Sequence, residues 1–244
     1  MKAYTTSDAT LSDVAEIIDW LKQEATAGLG FYHNRELIEK GQKQGHVRVI
    51  KKTKGGPVLG FLLKAFDSIS IIEVKRRWRG KGLAATLVKE ALKNFEEERQ
   101  LGIQIQCTPS TSIPFWEKMG FQMLTRERGY SQQAFYFFDK SPEEMPEVQK
   151  VPVHIKIFEF DLINPGTPQW EWQVQGFELN KETLLLEKRV GTLIHHGRSW
   201  IEVWVDGALI FKNKAKYSSP VGVEYNNGFM RIDKINRHPK SDIS

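Results

Sequence analysis

The sequence predicts an α/β (α+β) domain, a mixed sheet flanked by helices, followed by an all-β domain that is a sandwich or a barrel. Three observations carry this. Up to about residue 140, helical and strand periodicities alternate; beyond residue 152 only strand periodicity occurs. Between them lies DKSPEEMPEVQKVP (139–152), with three prolines, four acids and little apolar content. Pro142, Pro146 and Pro152 oppose both helix and central strand, so 141–152 is expected to link a domain at 1–140 to one at 153–244.

Each element of the first domain has its own signal. Ala3–Thr5 is expected as a short strand, and Ser12 or Asp13 as the start of a helix carrying Val14, Ile17, Ile18 and Leu21 at helical spacing. A shorter helix follows near Asn34–Lys43. HVRVIKK (46–52) and PVLGFLLKAF (57–66) read as strands joined by the turn signal KGG, and Ser68–Lys75 as a third strand. Leu83–Arg99 is a strong helix with Leu83, Leu87, Ala91, Leu92 and Phe95 on one face. IQIQC (103–107) is a strand, Ile113–Met119 a short helix ended by Gly120, and 121–126 and 133–138 the closing strands. The order is β-α-α-β-β-β-α-β-α-β-β.

The second domain shows seven short strand patterns, at 154–160, 170–179, 183–190, 200–205, 208–213, 221–225 and 229–235. Asp206-Gly207 and Asn226-Asn227-Gly228 are hairpin signals, and Gly197 marks a further turn. Four of the seven tryptophans lie here, as Trp170/Trp172 and Trp200/Trp204, and even spacings of two and four put each pair on one side of its strand. Such pairs serve either as core or as an aromatic platform for a flat ligand, and core is the commoner use. His195-His196 diverge on a strand, so no metal site is expected from them.

Composition narrows the function classes. Cys107 is the single cysteine, which excludes an intramolecular disulfide and a cysteine-based zinc site and fits a reducing cytoplasm. No apolar run reaches a membrane span, and MKAYTTSDATLSD lacks the apolar core of a signal peptide. A cytoplasmic protein without membrane contact is expected. Residues 151–244 hold 12 basic and 11 acidic residues, so all but one of the net +5 charges lies in the first 150. That suits an anionic small ligand there and gives a nucleic-acid role little support.

The stretch RRWRGKGLAATLVKEAL (76–92) concentrates this charge. A strand runs into a basic, glycine-bearing turn and a helix follows at once. The first N–H groups of a helix lack intrahelical acceptors, the helix dipole adds positive potential, and glycine lets a ligand approach the backbone. Arg76, Arg77, Arg79 and Lys81 add cations, so the turn reads as an anion cradle suited to a pyrophosphate. No Gly-Lys-Ser/Thr follows, which excludes a Walker loop.

This pattern resembles the GNAT acetyltransferase superfamily. The family's Arg/Gln-x-x-Gly-x-Gly/Ala signature fits twice, as Arg77-x-x-Gly80-x-Gly82 and as Arg79-x-x-Gly82-x-Ala84. SIPFWEKMGF (112–121) is similar to the family's later helix and turn, and the order of elements agrees over roughly residues 1–140. The resemblance implies acetyl-CoA as co-substrate, no metal, and transfer of its acetyl group to a primary amine. Backbone amides over Arg79, Gly80, Lys81, Gly82, Leu83 and Ala84, with Arg77 beside them, would hold the pyrophosphate. Val74 would pair through its main chain with the pantetheine arm, between splayed strands at Ser68–Lys75 and Ile103–Cys107.

The reaction needs a base for the amine, donors for an oxyanion and a route for the departing thiolate. Glu73, in the strand beside the loop, is the candidate base; pairing with Lys75 or Arg76 is its alternative. Trp116 stands where the resemblance expects an acidic tyrosine, and Pro109 where many members have asparagine. Indole is not an acid, so Ser112 is the candidate replacement, with Ser110, Thr111, Tyr130 and Tyr136 behind it. Cys107 is either a buried inert thiol or a nucleophile. Phe31 and Tyr32, in TAGLGFYHN (26–34) with His33, and Trp116 are candidate contacts for the acceptor. That acceptor is a small-molecule or protein amine, with the β domain recognising it or forming a homodimer. Two alternatives remain: a non-catalytic CoA-binding sensor or scaffold, and a carbohydrate- or protein-binding adaptor acting through the β domain.

Overall fold

The computed structural model describes residues 4–26, 30–124, 131–138, 149–159, 166–194, 198–226 and 228–239. The chain divides into two compact units, Met1–Tyr136 and Phe137–Ser244.

In the first unit the elements follow the predicted order. They are β1 (Thr5–Asp8), α1 (Leu11–Ala25), α2 (Arg35–Lys43), β2 (Val47–Lys51), β3 (Val58–Lys64) and β4 (Ile69–Val74). After them come α3 (Leu83–Glu97), β5 (Gly102–Gln106), α4 (Ile113–Lys118), β6 (Gln122–Met123) and β7 (Gln133–Phe137). The start of α1 differs from expectation. Its cap is Thr10, whose hydroxyl accepts from the Asp13 N–H while its own N–H donates to the Asp13 carboxylate at 3.0 Å. Asp13 closes a capping box from the third helical position rather than opening the helix. It is also buried, and its other oxygen accepts from Lys51 Nζ at 2.6 Å.

Strands β1-β2-β3-β4 form one antiparallel sheet in that order, and β5-β7-β6 a separate one. Strand β3, VLGFLLK, is buried through its first six residues. Helices α1 and α2 share a core with Phe61 and Leu63 of β3 on one face, and α3 packs over the sheet with Leu87, Val88, Ala91 and Phe95 buried. A continuous apolar run is what a doubly covered strand requires. Among the described residues β4 and β5 share no ladder, only the parallel bridge Ser68↔Gln104 just before β4, so the two strands diverge toward the end of β4.

In the second unit the seven predicted strands are β8 (Lys150–Phe158), β9 (Trp170–Asn180), β10 (Thr183–Leu193), β11 (Trp200–Val205), β12 (Ala208–Lys214), β13 (Val223–Asn226) and β14 (Phe229–Asn236). They make one antiparallel sheet, ordered β12-β11-β8-β9-β10-β14-β13, rather than two facing layers. The sheet curls as a half-barrel around one cluster that includes Val153, Ile155 and Ile157 of β8, Ile201 and Val203 of β11, and Met230 and Ile232 of β14. Asp206 and Gly207 both take positive φ (50° and 76°), the two-residue turn their sequence favours. The expected linker lies outside the described residues up to 148, and its last three residues are already strand. Pro152 is tolerated there because it sits one residue beyond the last β8–β11 pair, Val153↔Val205, so its missing N–H breaks no pair of that ladder. His195, His196, Gly197 and Asn227 lie outside the described residues.

Candidate active site

The end of β4 carries a main-chain edge that has no strand partner among the described residues. Lys75 N–H donates to Leu59 O at 2.9 Å, and Gly60 stands opposite Val74. Antiparallel alternation therefore turns the N–H and C=O of Val74 away from β3, to the side where β5 has diverged. Gly60 permits the tight β3–β4 approach at this point: a Cβ on it would lie 2.9 Å from Glu73 O.

After Val74 the chain makes one tight turn over Arg76–Trp78 and enters α3 through two left-handed glycines, Gly80 (φ 75°) and Gly82 (φ 79°). Gly82 is the helix N-cap and supplies no side-chain acceptor, so the first amides of α3, from Leu83 onward, have no capping partner. A Cβ placed on Gly80 or Gly82 meets nothing within 4 Å, so the space over these amides is open. Leu83 buries its side chain in the core, which fixes the amides behind it, and Ala84 is half-buried. Lys81 Nζ lies 4.3 Å from the Trp78 ring centroid, and Arg76 and Arg77 are exposed beside it. Open amides, a helix dipole and nearby cations fit a pyrophosphate. Both readings of the signature share Gly82; the first places both its glycines at the left-handed positions, and the second places Arg79 against β4.

Glu73 does not pair with Lys75 or Arg76. Lys75 Nζ donates to Glu16 at 2.6 Å and lies over Trp20. Glu73 instead accepts from Arg79 Nη2 at 2.7 Å and from the Val74 N–H at 3.2 Å. Arg79 also donates through Nε to Val74 O at 3.0 Å. Burial pushes the Glu73 carboxyl above its usual range, and Arg79 and the Val74 amide offset only part of this. Glu24 completes the group: its Oε1 accepts from the Arg76 N–H at 3.4 Å, and its buried Oε2 has no hydrogen bond among the described residues but lies 3.9 Å from Arg79 Nη2. Glu24 was not singled out from the sequence. The signal was there, because it follows Trp20 and Leu21 by four and three residues and so extends the buried stripe of α1.

The α4 region corrects other expectations. Trp116 is buried at 5% exposure, edge-on to Phe115 and Phe121 with both centroids at 5.0 Å, so it packs the core rather than facing an acceptor. Tyr136 lies against Phe121 and over Gly120. Ser112, next to the first residue of α4, has a buried hydroxyl without a hydrogen-bond partner among the described residues. Ser110 and Thr111 are exposed, and Tyr130 lies outside the described residues. Cys107 is buried, and burial followed by Glu117 raises its thiol pKa, which disfavours the thiolate a nucleophile needs. Phe31 and Tyr32 are half-buried against the core shared by α1 and α2, with Arg35 over the Tyr32 ring, whereas His33 is exposed.

In the second unit the two tryptophan pairs part company. Trp170 and Trp172 stack with centroids 6.3 Å apart at 11° and pack against the inner cluster. Trp200 and Trp204 stand on the other face of the sheet, because their neighbours Ile201 and Val203 point inward. Among the described residues no group of three or more His, Cys, Asp or Glu could hold a metal ion, and no helix is long and apolar enough to cross a membrane.

Residues 17–133 match the family model described as an acetyltransferase (GNAT) domain. No curated protein matches the chain. Similar solved structures include a GNAT-family acetyltransferase from Listeria monocytogenes 4b F2365, at 18% identity and TM-score 0.45 over 55% of this chain and 95% of that one. Ard1 from Thermoplasma volcanium is similar at 19% identity and TM-score 0.45, over 55% and 97% of the two chains. The PaiA N-acetyltransferase from Thermoplasma acidophilum, solved in complex with coenzyme A, is similar at 15% identity and TM-score 0.43, over 56% and 99%. The family match falls on the stretch that carries the diverging strands, the paired glycines and the uncapped helix: the first unit of this chain is a GNAT acetyltransferase domain.

Proposed function

We propose that the chain moves an acetyl group from acetyl-CoA to a primary amine by direct attack in a ternary complex. The observation that carries this is the junction of an open β4 edge at Val74 with the uncapped start of α3 at Gly82. The main chain of Val74 and the amides after Gly80 together offer an extended edge for an arm and a cradle for a diphosphate. Bound there, the co-substrate supplies an activated thioester.

The chain's own residues then do the following. Glu73, beside that edge and with its carboxyl pKa raised, takes the proton of the attacking amine. The amides near Val74 and the start of α3 hold negative charge in place. No tyrosine acid is required for the departing sulfur, since a thiol of pKa about 8.5 already leaves as a reasonably stable anion near neutral pH. Ser112 is the hydroxyl retained for proton delivery. Phe31 and Tyr32 wall the acceptor side. The half-barrel unit recognises the acceptor, a small-molecule or protein amine, or joins two copies, and the reaction takes place in the cytoplasm.

Calorimetric titration with acetyl-CoA tests this. Saturable binding by the wild type is expected, with loss in a folded Gly80→Val/Gly82→Val variant whose side chains enter the open space over the amides. Absence of binding by the folded wild type removes the transferase reading. The exposed Trp200, at 40%, would then direct attention to the β unit as an adaptor.

A further inference from the structure

The free edge of β4 is covered by the protein's own side chains. At Val74 the N–H donates to Glu73 Oε1 and the C=O accepts from Arg79 Nε, while Arg79 Nη2 and Glu73 Oε1 join at 2.7 Å. The pair thus closes a ring over the two main-chain groups that a neighbouring strand, or an amide-bearing ligand lying as one, would use. It is a surrogate partner for an edge left open by the divergence of β5. An edge carbonyl and an edge amide cannot serve both the side-chain pair and an extended ligand in the same geometry.

A second position for the guanidinium exists nearby. Glu24 Oε2 is buried, has no hydrogen bond among the described residues, and lies 3.9 Å from Arg79 Nη2. A small displacement of Arg79 would satisfy that oxygen. Buried carboxylate oxygens without a donor are costly, so this position is ready to receive the cation. Arg79 itself keeps 46% of its side chain exposed, which leaves it room to move.

We propose that Glu73 and Arg79 form a latch over Val74 that the acyl-pantetheine arm displaces, with Arg79 passing to Glu24 and Glu73 left unpaired at the edge. The proposal rests on the acetyl-transfer reading and deepens it. Arg79 is on this view a positioning residue. It holds Glu73 as one half of an ion pair while the edge is empty, and releases it as a base when the arm is seated. Base and co-substrate are thereby coupled: the carboxylate is freed only where there is a thioester to use.

The test separates the arm from the phosphates. The 244-residue chain as wild type, Arg79→Ala and Glu73→Gln is titrated calorimetrically with S-acetylpantetheine, which carries the arm and no phosphate, and with acetyl-CoA. Opening the latch by either substitution is expected to tighten S-acetylpantetheine binding about 3- to 10-fold, the scale of one exposed charge-assisted contact. Glu73→Gln preserves shape, so it answers the question even if Arg79→Ala does not fold. Unchanged or weaker binding of the arm in folded variants, with acetyl-CoA still bound by the wild type, overturns the latch and leaves the transferase reading intact. Failure of the wild type to bind acetyl-CoA overturns both. A proton readout adds a check that a merely structural pair would not move. At a pH just above the ordinary carboxylate range, acetyl-CoA binding by the wild type is expected to show a heat that varies with buffer ionisation enthalpy, because release from Arg79 favours protonation of Glu73. The same heat in Glu73→Gln would count against the latch.

Discussion

Two acid–base pairs in the first unit lie on either side of β3, near the same end of the β1–β4 sheet, and behave differently. Asp13 and Lys51 are 7% and 11% exposed in their side chains and fully engaged: Asp13 also takes the Thr10 N–H and the Thr10 hydroxyl lies on its amide. Burial works against its charge, but Lys51 and the helix cap outweigh burial and hold the carboxyl below its ordinary range. Glu73, at 13% exposure, has one arginine and one adjacent amide, and burial wins. The contrast teaches what separates a structural carboxylate from a poised one. Each carboxylate accepts from two donors, but those of Asp13 engage both of its oxygens whereas those of Glu73 share Oε1, and the Glu24 charge adds to burial in raising Glu73.

The sharpest way to break the comparison is Glu73→Gln. Turnover of acetyl-CoA with an amine acceptor is expected to fall about 100- to 10,000-fold, as for loss of a general base, with little change in thermal stability. A drop in stability without a drop in turnover would make Glu73 the structural member. Lys51→Met should do the opposite. Leaving Asp13 buried without its partner is expected to cost about 3–5 kcal/mol of unfolding free energy in denaturant melts, while acetyl-CoA affinity of the folded fraction stays at the wild-type value. Thr10→Ala removes half of the capping box and should cost about 1 kcal/mol in the same melts.

The pH responses carry opposite signs. Asp13 is depressed in the folded state, so its contribution to stability is complete above its ordinary value of 3.8 and is lost as pH falls from there through the lower folded value. Glu73 is raised, so its ionisation disfavours the folded state as pH climbs from its ordinary 4.5 through the folded value, and the Gln variant should lack this loss. In rate profiles, Arg79→Ala should move the acidic limb of kcat/KM to higher pH, since Arg79 is the largest influence holding the Glu73 carboxyl down. An unmoved limb would show that the ionisation governing the rate is elsewhere.

The glycine loop was legible because its chemistry is local. A strand, two glycines and a helix within 15 residues fix an uncapped helix start by themselves, and the structure places Gly80 and Gly82 in the left-handed region. The Glu73–Arg79–Glu24 group was not legible as a group. Glu24 lies about 50 residues before its neighbours, and only the packing of α1 beside the end of β4 brings it to Arg79. Trp116 was misassigned as an acceptor contact for a related reason: one aromatic on a short helix has no periodic signal to say which side is core, and Phe115 and Phe121 settle that only in three dimensions. The same holds for the paired tryptophans. Even spacing puts each pair on one face, but which face turns inward depends on the register of β8 with β9 and β11.

By itself, then, the sequence determined the element types, their order, the seven strands of the β unit and the position of the two glycines before the uncapped α3, because each follows from contacts a few residues apart. The tertiary structure alone decided that the seven strands curl into a single half-barrel sheet, that β4 and β5 are joined among the described residues by the one bridge Ser68↔Gln104 rather than a ladder, and that the edge so opened at Val74 is closed over by Glu73 and Arg79. These depend on pairings between distant segments, where burial and hydrogen-bond satisfaction of the whole layer, rather than local propensity, choose among registers.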